Sequence, residues 1–120
     1  MFYPSSTSLV QMSWQQRAII QWARINDKPT ELILRRGDTM LSPQIVRVEL
    51  DSRLPTFATD DSGVSTSTRV TLFGVRGHPE IDDFDVQIWD TFIMENIEYT
   101  VMNVNKLIIG QIQAYCEGIG

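Results

Sequence analysis

The stretch TFIMENIEYTVMNVNKLIIGQIQAYCE, from Thr91 to Glu117, decides the fold. It holds three strand-like runs, Thr91–Met94, Glu98–Val104 and Ile108–Tyr115. In the second, Tyr99, Val101 and Asn103 alternate with Thr100, Met102 and Val104, and a period of two is the pattern of a strand with two distinct faces. Glu95-Asn96 marks a turn between the first two runs, because asparagine tolerates the left-handed backbone that tight hairpins need. NKLIIG, at 105–110, marks a second turn region. No nucleophile–base pair, metal-ligand spacing or glycine-rich phosphate loop interrupts the stretch, so it reads as architecture rather than chemistry.

Upstream of it the same period recurs. In TELILRR, 30–36, Leu32 and Leu34 share one face, and Glu31, Ile33 and Arg35 share the other. QIVRVELDS, 44–52, sets Val46, Val48 and Leu50 against Ile45, Arg47 and Glu49. TRVTLFGV, 68–75, sets Val70, Leu72 and Gly74 against Arg69, Thr71, Phe73 and Val75. Between these last two strands, PTFATDDSGVSTS, 55–67, is polar and longer than a tight turn, which predicts a long inter-strand loop, usually a functional or a disordered feature. At the other end, SWQQ has the form of a capping box opening at Ser13. Trp14, Ala18, Trp22 and Ile25 follow at helical spacing, with Ile19 and Ala23 widening the stripe, and Arg17, Gln21 and Arg24 falling largely opposite. Pro29 stops this helix, because the residue before a proline is biased away from helical geometry. The pattern predicts a flexible arm over 1–12 and one domain over 13–120. That domain is mainly β, a small antiparallel β-barrel or sandwich with a single N-terminal helix over 13–26.

Length and composition agree with one modest core: 120 residues, 42% of them hydrophobic. The net charge of −5 argues against a protein that grips nucleic acid by neutralising phosphates, which takes clustered Lys and Arg. Cys116 is the single cysteine, so neither an intrachain disulfide nor a cysteine zinc site is available, and a reducing compartment is expected. MFYPSSTSLVQM lacks the basic and continuous apolar regions of a signal peptide, and no apolar run has the length of a membrane span.

Several motifs invite sharper readings that their context does not support. Arg36-Gly37-Asp38 spells an adhesion tripeptide, yet it lies between two strand segments and reads as a turn. His78 with Glu80, Asp82, Asp83 and Asp85 resembles a metal-ligand cluster, but crowded carboxylates in a loop with one histidine read as a solvated acidic segment. Trp14 and Trp22, eight residues apart on an amphipathic helix, read as core or interface rather than base-stacking platforms. Cys116, in a strand run, reads as inert packing. No catalytic residue, metal ligand or cofactor site is expected, and the chain is not expected to be an enzyme.

IWDTFIMENIEYTVMNVNKLIIGQIQAYCEG, 88–118, resembles the C-terminal half of the head-closure proteins of tailed bacteriophages, also called stoppers or head-tail connector proteins. The shared elements are Asp90 opening a strand, the Glu95-Asn96-Ile97 turn, Tyr99 with Val101, and Ala114 with Glu117 in the last strand. The family often has Gly-Asp before the strand, whereas this chain has Trp89-Asp90. The helix, strand, loop and strand order from about Trp14 onward is compatible with the same family. The resemblance implies a virion protein of the neck, made in the host bacterial cytoplasm. It would form a homo-oligomeric ring between portal or adaptor proteins and tail proteins, touching phage double-stranded DNA transiently and no membrane. It implies a channel or gate loop at Thr59, Asp60, Asp61, Ser62, Gly63 and Val64, and a partner-docking arm that includes Phe2, Tyr3, Leu9 and Val10. A tail-terminator or neck-completion ring, and a monomeric small β-barrel binding module, are the competing expectations.

Overall fold

The computed structural model describes residues 6–57 and 64–119. Its elements are α1 (Ser6–Asp27), β1 (Thr30–Leu32), β2 (Arg35–Arg36), β3 (Thr39–Met40), β4 (Gln44–Phe57), β5 (Val64–Val75), β6 (Thr91–Met94), β7 (Ile97–Asn105) and β8 (Gln111–Ile119). The strands form an antiparallel sheet in the order β1-β4-β5-β8-β7-β6-β2-β3, curled into a half-barrel. Thr91–Glu117 thus builds the centre of the sheet, with β8 inserted between β5 and β7.

The faces follow the alternation in the sequence. Val46, Val70, Leu72, Phe92, Tyr99, Val101, Ala114 and Cys116 are buried in one cluster on the concave side, where Phe92 and Tyr99 stack at 5.2 Å. Fully burying a side chain of this size contributes about 1.5–3 kcal/mol. Phe84 and Val86, from the segment after β5, fill the open side of the cluster. Gly74 makes room for them, since a Cβ there would stand 2.3 Å from Phe84.

Two β-bulges mark where simple alternation ends. The register shifts between Leu50 and Ser52 in β4 and between Val101 and Asn103 in β7. Asp51 and Met102 are the extra residues, and such insertions bend a strand and sharpen its twist, which suits a curling sheet. The two hairpin turns match their residues. Glu95 and Asn96 both have positive φ, 52° and 66°, as a type I′ turn requires. Gly37, at φ 62°, is the first central residue of the β2–β3 hairpin, so the Arg36-Gly37-Asp38 triplet is a turn, as its context predicts.

Several boundaries differ from the sequence reading: TELILRR breaks at Ile33 and Leu34 into β1 and β2 instead of forming one strand, and the last strand runs Gln111–Ile119 rather than Ile108–Tyr115. The helix opens at Ser6 rather than 13 and closes at Asp27, so residues 6–12 of the expected arm are helical and Ser13 is interior. Pro4 is the last helix breaker upstream, and no Gly or Pro between Ser6 and Met12 halts propagation. Likewise, most of the expected 55–67 loop is strand. β4 continues to Phe57 and β5 begins at Val64, with Pro55 paired to Thr66, Thr56 to Ser65 and Phe57 to Val64. A run of Ser and Thr is as compatible with a solvated two-stranded ribbon as with a loop, and composition does not separate them.

The helix lies on the convex face, where Ala18, Trp22 and Ile25 pack with Ile45, Val75 and Ile81. Its buried stripe widens toward Gln21, which accepts a bond from Gln111 Nε2, and not toward Ile19 and Ala23, which are exposed. Gly110 sets the fit at the other side of the contact: a Cβ there would lie 2.7 Å from the Ala18 nitrogen.

Candidate functional site

The expected site residues fall in two places. Thr59, Asp60, Asp61, Ser62 and Gly63 lie outside the described residues, while Val64 opens β5 opposite Phe57. Phe2 and Tyr3 also lie outside them, and Leu9 and Val10 belong to the first turns of the helix. Val64 and Phe57 are the last described pair of a ribbon of β4 and β5 whose outer three rungs have no third strand among the described residues. This ribbon is the structural setting of the expected loop.

A second feature escaped the sequence reading. Asp90 is buried, and Arg36 donates to both its oxygens, Nε to Oδ1 at 3.0 Å and Nη2 to Oδ2 at 2.9 Å. Asp90 Oδ2 also accepts the Gln87 N–H at 2.8 Å, and Arg36 Nη2 reaches Asp85 at 3.0 Å. The two-pronged bond to Asp90, then that to Asp85, pushes the Arg36 guanidinium well above its ordinary value and holds it charged. The pair fastens the β2–β3 hairpin to the turn that precedes β6. Its members lie 54 residues apart, so no local pattern announces it.

This corner carries an outlier. Trp89 has φ 77°, a left-handed conformation that a bulky L-residue adopts only under constraint, and its side chain is 70% exposed. The constraint is visible: Trp89 N–H donates to Val101 O at 2.9 Å, Val101 N–H to Asp90 O at 2.8 Å, and Asp90 N–H to Gln87 O at 3.1 Å. The corner therefore displays an indole outward beside the Met102 bulge, with Glu98 and Thr100 lining the same shallow depression. Strain held in place by surrounding bonds points to use of the side chain rather than to packing.

The acidic segment forms one wall of a groove of about 690 Å³, facing Trp22 and Ile45. Asp83 accepts the Gly77 N–H at 2.7 Å, and His78 Nδ1 accepts the N–H groups of Glu80 and Ile81 at 3.0 and 3.1 Å. The imidazole thus serves the turn, and among the described residues no three His, Cys, Asp or Glu side chains gather to hold a metal. Cys116 is buried, and burial, with the charge of Asp51, pushes its thiol up to about 12. It stays protonated at neutral pH and is a poor nucleophile.

The third feature is the mouth of the half-barrel. β1 and β6 line a common groove of about 340 Å³, with Leu32 and Phe92 along it and Ile33, Met40 and Ile93 exposed at its rim. No helix of the described residues is long and apolar enough to cross a membrane. No protein-family model matches the chain, and no curated protein matches it in sequence.

Proposed function

We propose that this chain is a structural protein of the tailed-phage neck: one protomer of a ring between portal and tail that carries the DNA channel and docks the tail. The observation that carries the reading is the Trp89-Asp90 corner. The resembled family often places glycine before the strand-opening aspartate, and here Trp89 occupies that place with φ 77°, a conformation glycine reaches without steric cost. The residue departs from the family's pattern, while its backbone conformation is one that suits glycine. Asp90 opens β6 and is buried against Arg36, which gives the strand-opening aspartate a physical task.

Two further features support it. The net charge of −5 suits a channel wall past which DNA moves, since phosphates are repelled and no counterion-release affinity builds up. The β4–β5 ribbon, whose strands flank most of the candidate gate residues in sequence, suits a part that reaches a ring axis, where symmetry repeats each charge around the channel. In this reading the chain performs no catalytic step. Its partners are copies of itself, the portal or adaptor ring above and the tail below.

The test is cryo-electron microscopy of phage particles whose copy of this chain carries a peptide tag. The expected result is ring-shaped tagged density at the head–tail junction. Tagged density on the tail side of that junction would transfer the chain to the tail-terminator class. Particles without the tag, or with the tag away from the junction, would overturn the neck assignment.

A further inference from the structure

The half-barrel is left open between β1 and β6. Among the described residues, β1 pairs with β4 alone, and β6 pairs with β7 along its length but with β2 only at Thr91, opposite Arg35. Phe92–Met94 therefore presents a strand edge without a sheet partner among the described residues, along a groove that Ile33, Met40 and Ile93 line together with Glu31, Arg35 and Glu98. An exposed, apolar strand edge is a template for one more strand. Ile93, 71% exposed, is neither charged nor proline, so nothing on it blunts that edge.

The same molecule carries a matching edge elsewhere. At the ribbon end, Val64–Thr66 pairs with β4 on one side and, among the described residues, with no strand on the other. The opposite edge of the ribbon contains Pro55, which has no N–H to give, so the β5 side is the competent one. Three residues of donor edge meet three of acceptor edge. The radius of gyration, 17.7 Å, exceeds the ~14 Å of a compact domain of this size, in keeping with a ribbon that extends beyond the sheet. Within one molecule Val64–Thr66 and Phe92–Met94 belong to strands separated by β8 and β7, so a second copy is the occupant to which the groove is suited.

We propose that the ribbon of one copy adds to β6 of the next, Val64–Thr66 lying along Phe92–Met94, so that copies associate head to tail. Donor and acceptor are different surfaces, so the contact is heterologous and closes into a ring if its rotation allows. This deepens the ring reading, and rests on it for the expectation that copies meet at all.

Two variants test it by analytical ultracentrifugation. Ile93→Lys blunts the acceptor edge and keeps the ribbon. A trimmed chain, with a short Asn-Gly turn in place of residues 55–66, loses the donor edge and keeps the groove. Thermal melting verifies that each is folded. Wild type is expected to self-associate as its concentration rises, and each variant to do so at least about tenfold more weakly. Mixed together, the variants are expected to form a one-to-one pair that grows no further, since each retains the half the other lacks. A monomeric wild type, an Ile93→Lys protein that associates like wild type, or folded variants that do not pair on mixing would each overturn the contact. None of these results bears on the tagged-particle experiment, so a neck ring built through another surface would still be recognised there.

Discussion

At the scale of single residues, the Arg36–Asp90 pair and Trp89 make opposite predictions. Asp90→Ala leaves the Arg36 charge facing a half-buried void and removes the acceptor of the Gln87 N–H, so it is expected to cost about 3–5 kcal/mol in chemical denaturation. At Trp89, glycine fits φ 77° and alanine does not. Trp89→Gly is therefore expected to be about 1 kcal/mol more stable than Trp89→Ala, the reverse of the order at an ordinary strand position. An equal or inverted pair of melting midpoints would show that the corner relaxes and stores no strain. Cys116 adds a pH dependence with a definite sign. Its thiol ionises near 9.0 when unperturbed and is pushed up to about 12 in the fold. Across that window the unfolded chain holds fewer protons, so stability falls as pH rises from about 9 to 12, and the thiol contributes no such loss below it. Cys116→Ser is expected to flatten that slope in urea melts taken at pH 8 to 11.

At the scale of elements, the clearest test lies in two glycines with the same backbone sign. Gly37, at φ 62°, has nothing within 4 Å of an added Cβ, while Gly110, at φ 79°, would place that Cβ 2.7 Å from the helix backbone. Gly37→Ala is expected to cost about 1 kcal/mol, the left-handed penalty alone. Gly110→Ala is expected to cost about 2–4 kcal/mol, because it also pushes the β7–β8 turn off α1. Trp22 fluorescence should report the lost helix docking in the second variant and not in the first. Many strands and turns are legible, since alternation separates Val46 and Leu72 from their polar neighbours and Glu95-Asn96 announces its own turn. The bulges at Asp51 and Met102 were not legible, as one inserted residue leaves no mark until the partner strand is known. The helix start was misplaced for a related reason: Ser13 has capping chemistry, but a cap acts only where the preceding residues leave the helix.

At the scale of the whole molecule, the chain crosses from one end of the sheet toward the other in an unusually short step. β1 lies at one end of the strand order and β2 near the other, yet only Ile33 and Leu34 separate them in sequence. Leu34 is fully buried, and its carbonyl accepts the Leu41 N–H at 2.8 Å, so this crossing is part of the core. The ribbon is the opposite case, with no third strand beyond Ser67 among the described residues. Trimming it to a short turn is expected to leave the melting midpoint within a few degrees, since loop length itself costs little, while X-ray scattering shows a smaller radius of gyration than 17.7 Å. A collapse of stability on trimming would make the ribbon part of the fold instead of an appendage. Of the candidate surfaces, only the position of the ribbon is foreshadowed in the sequence, as a polar segment between two good strands. The Arg36–Asp90 lock and the open mouth join residues many positions apart, and spatial proximity of that kind is invisible to periodicity.

The central place of β8 also sets the order of events during folding. The β4–β5, β6–β7 and β7–β8 pairs are local and can form within microseconds, but the core is incomplete until β8 docks on β5, joining Ser67 to Ile119, whereas Tyr99 meets Gly118 within the local β7–β8 hairpin. The 52-residue separation of the first pair puts loop closure ahead of any reward, so the rate-limiting barrier is expected to be the capture of β8, on a timescale of milliseconds to seconds. Until that capture, β5 and β8 carry bare edges, and the waiting chain is the species most exposed to misassembly. Ala114→Gly, in the middle of β8, should then slow refolding in stopped-flow traces, whereas a change confined to the ribbon should act on unfolding alone.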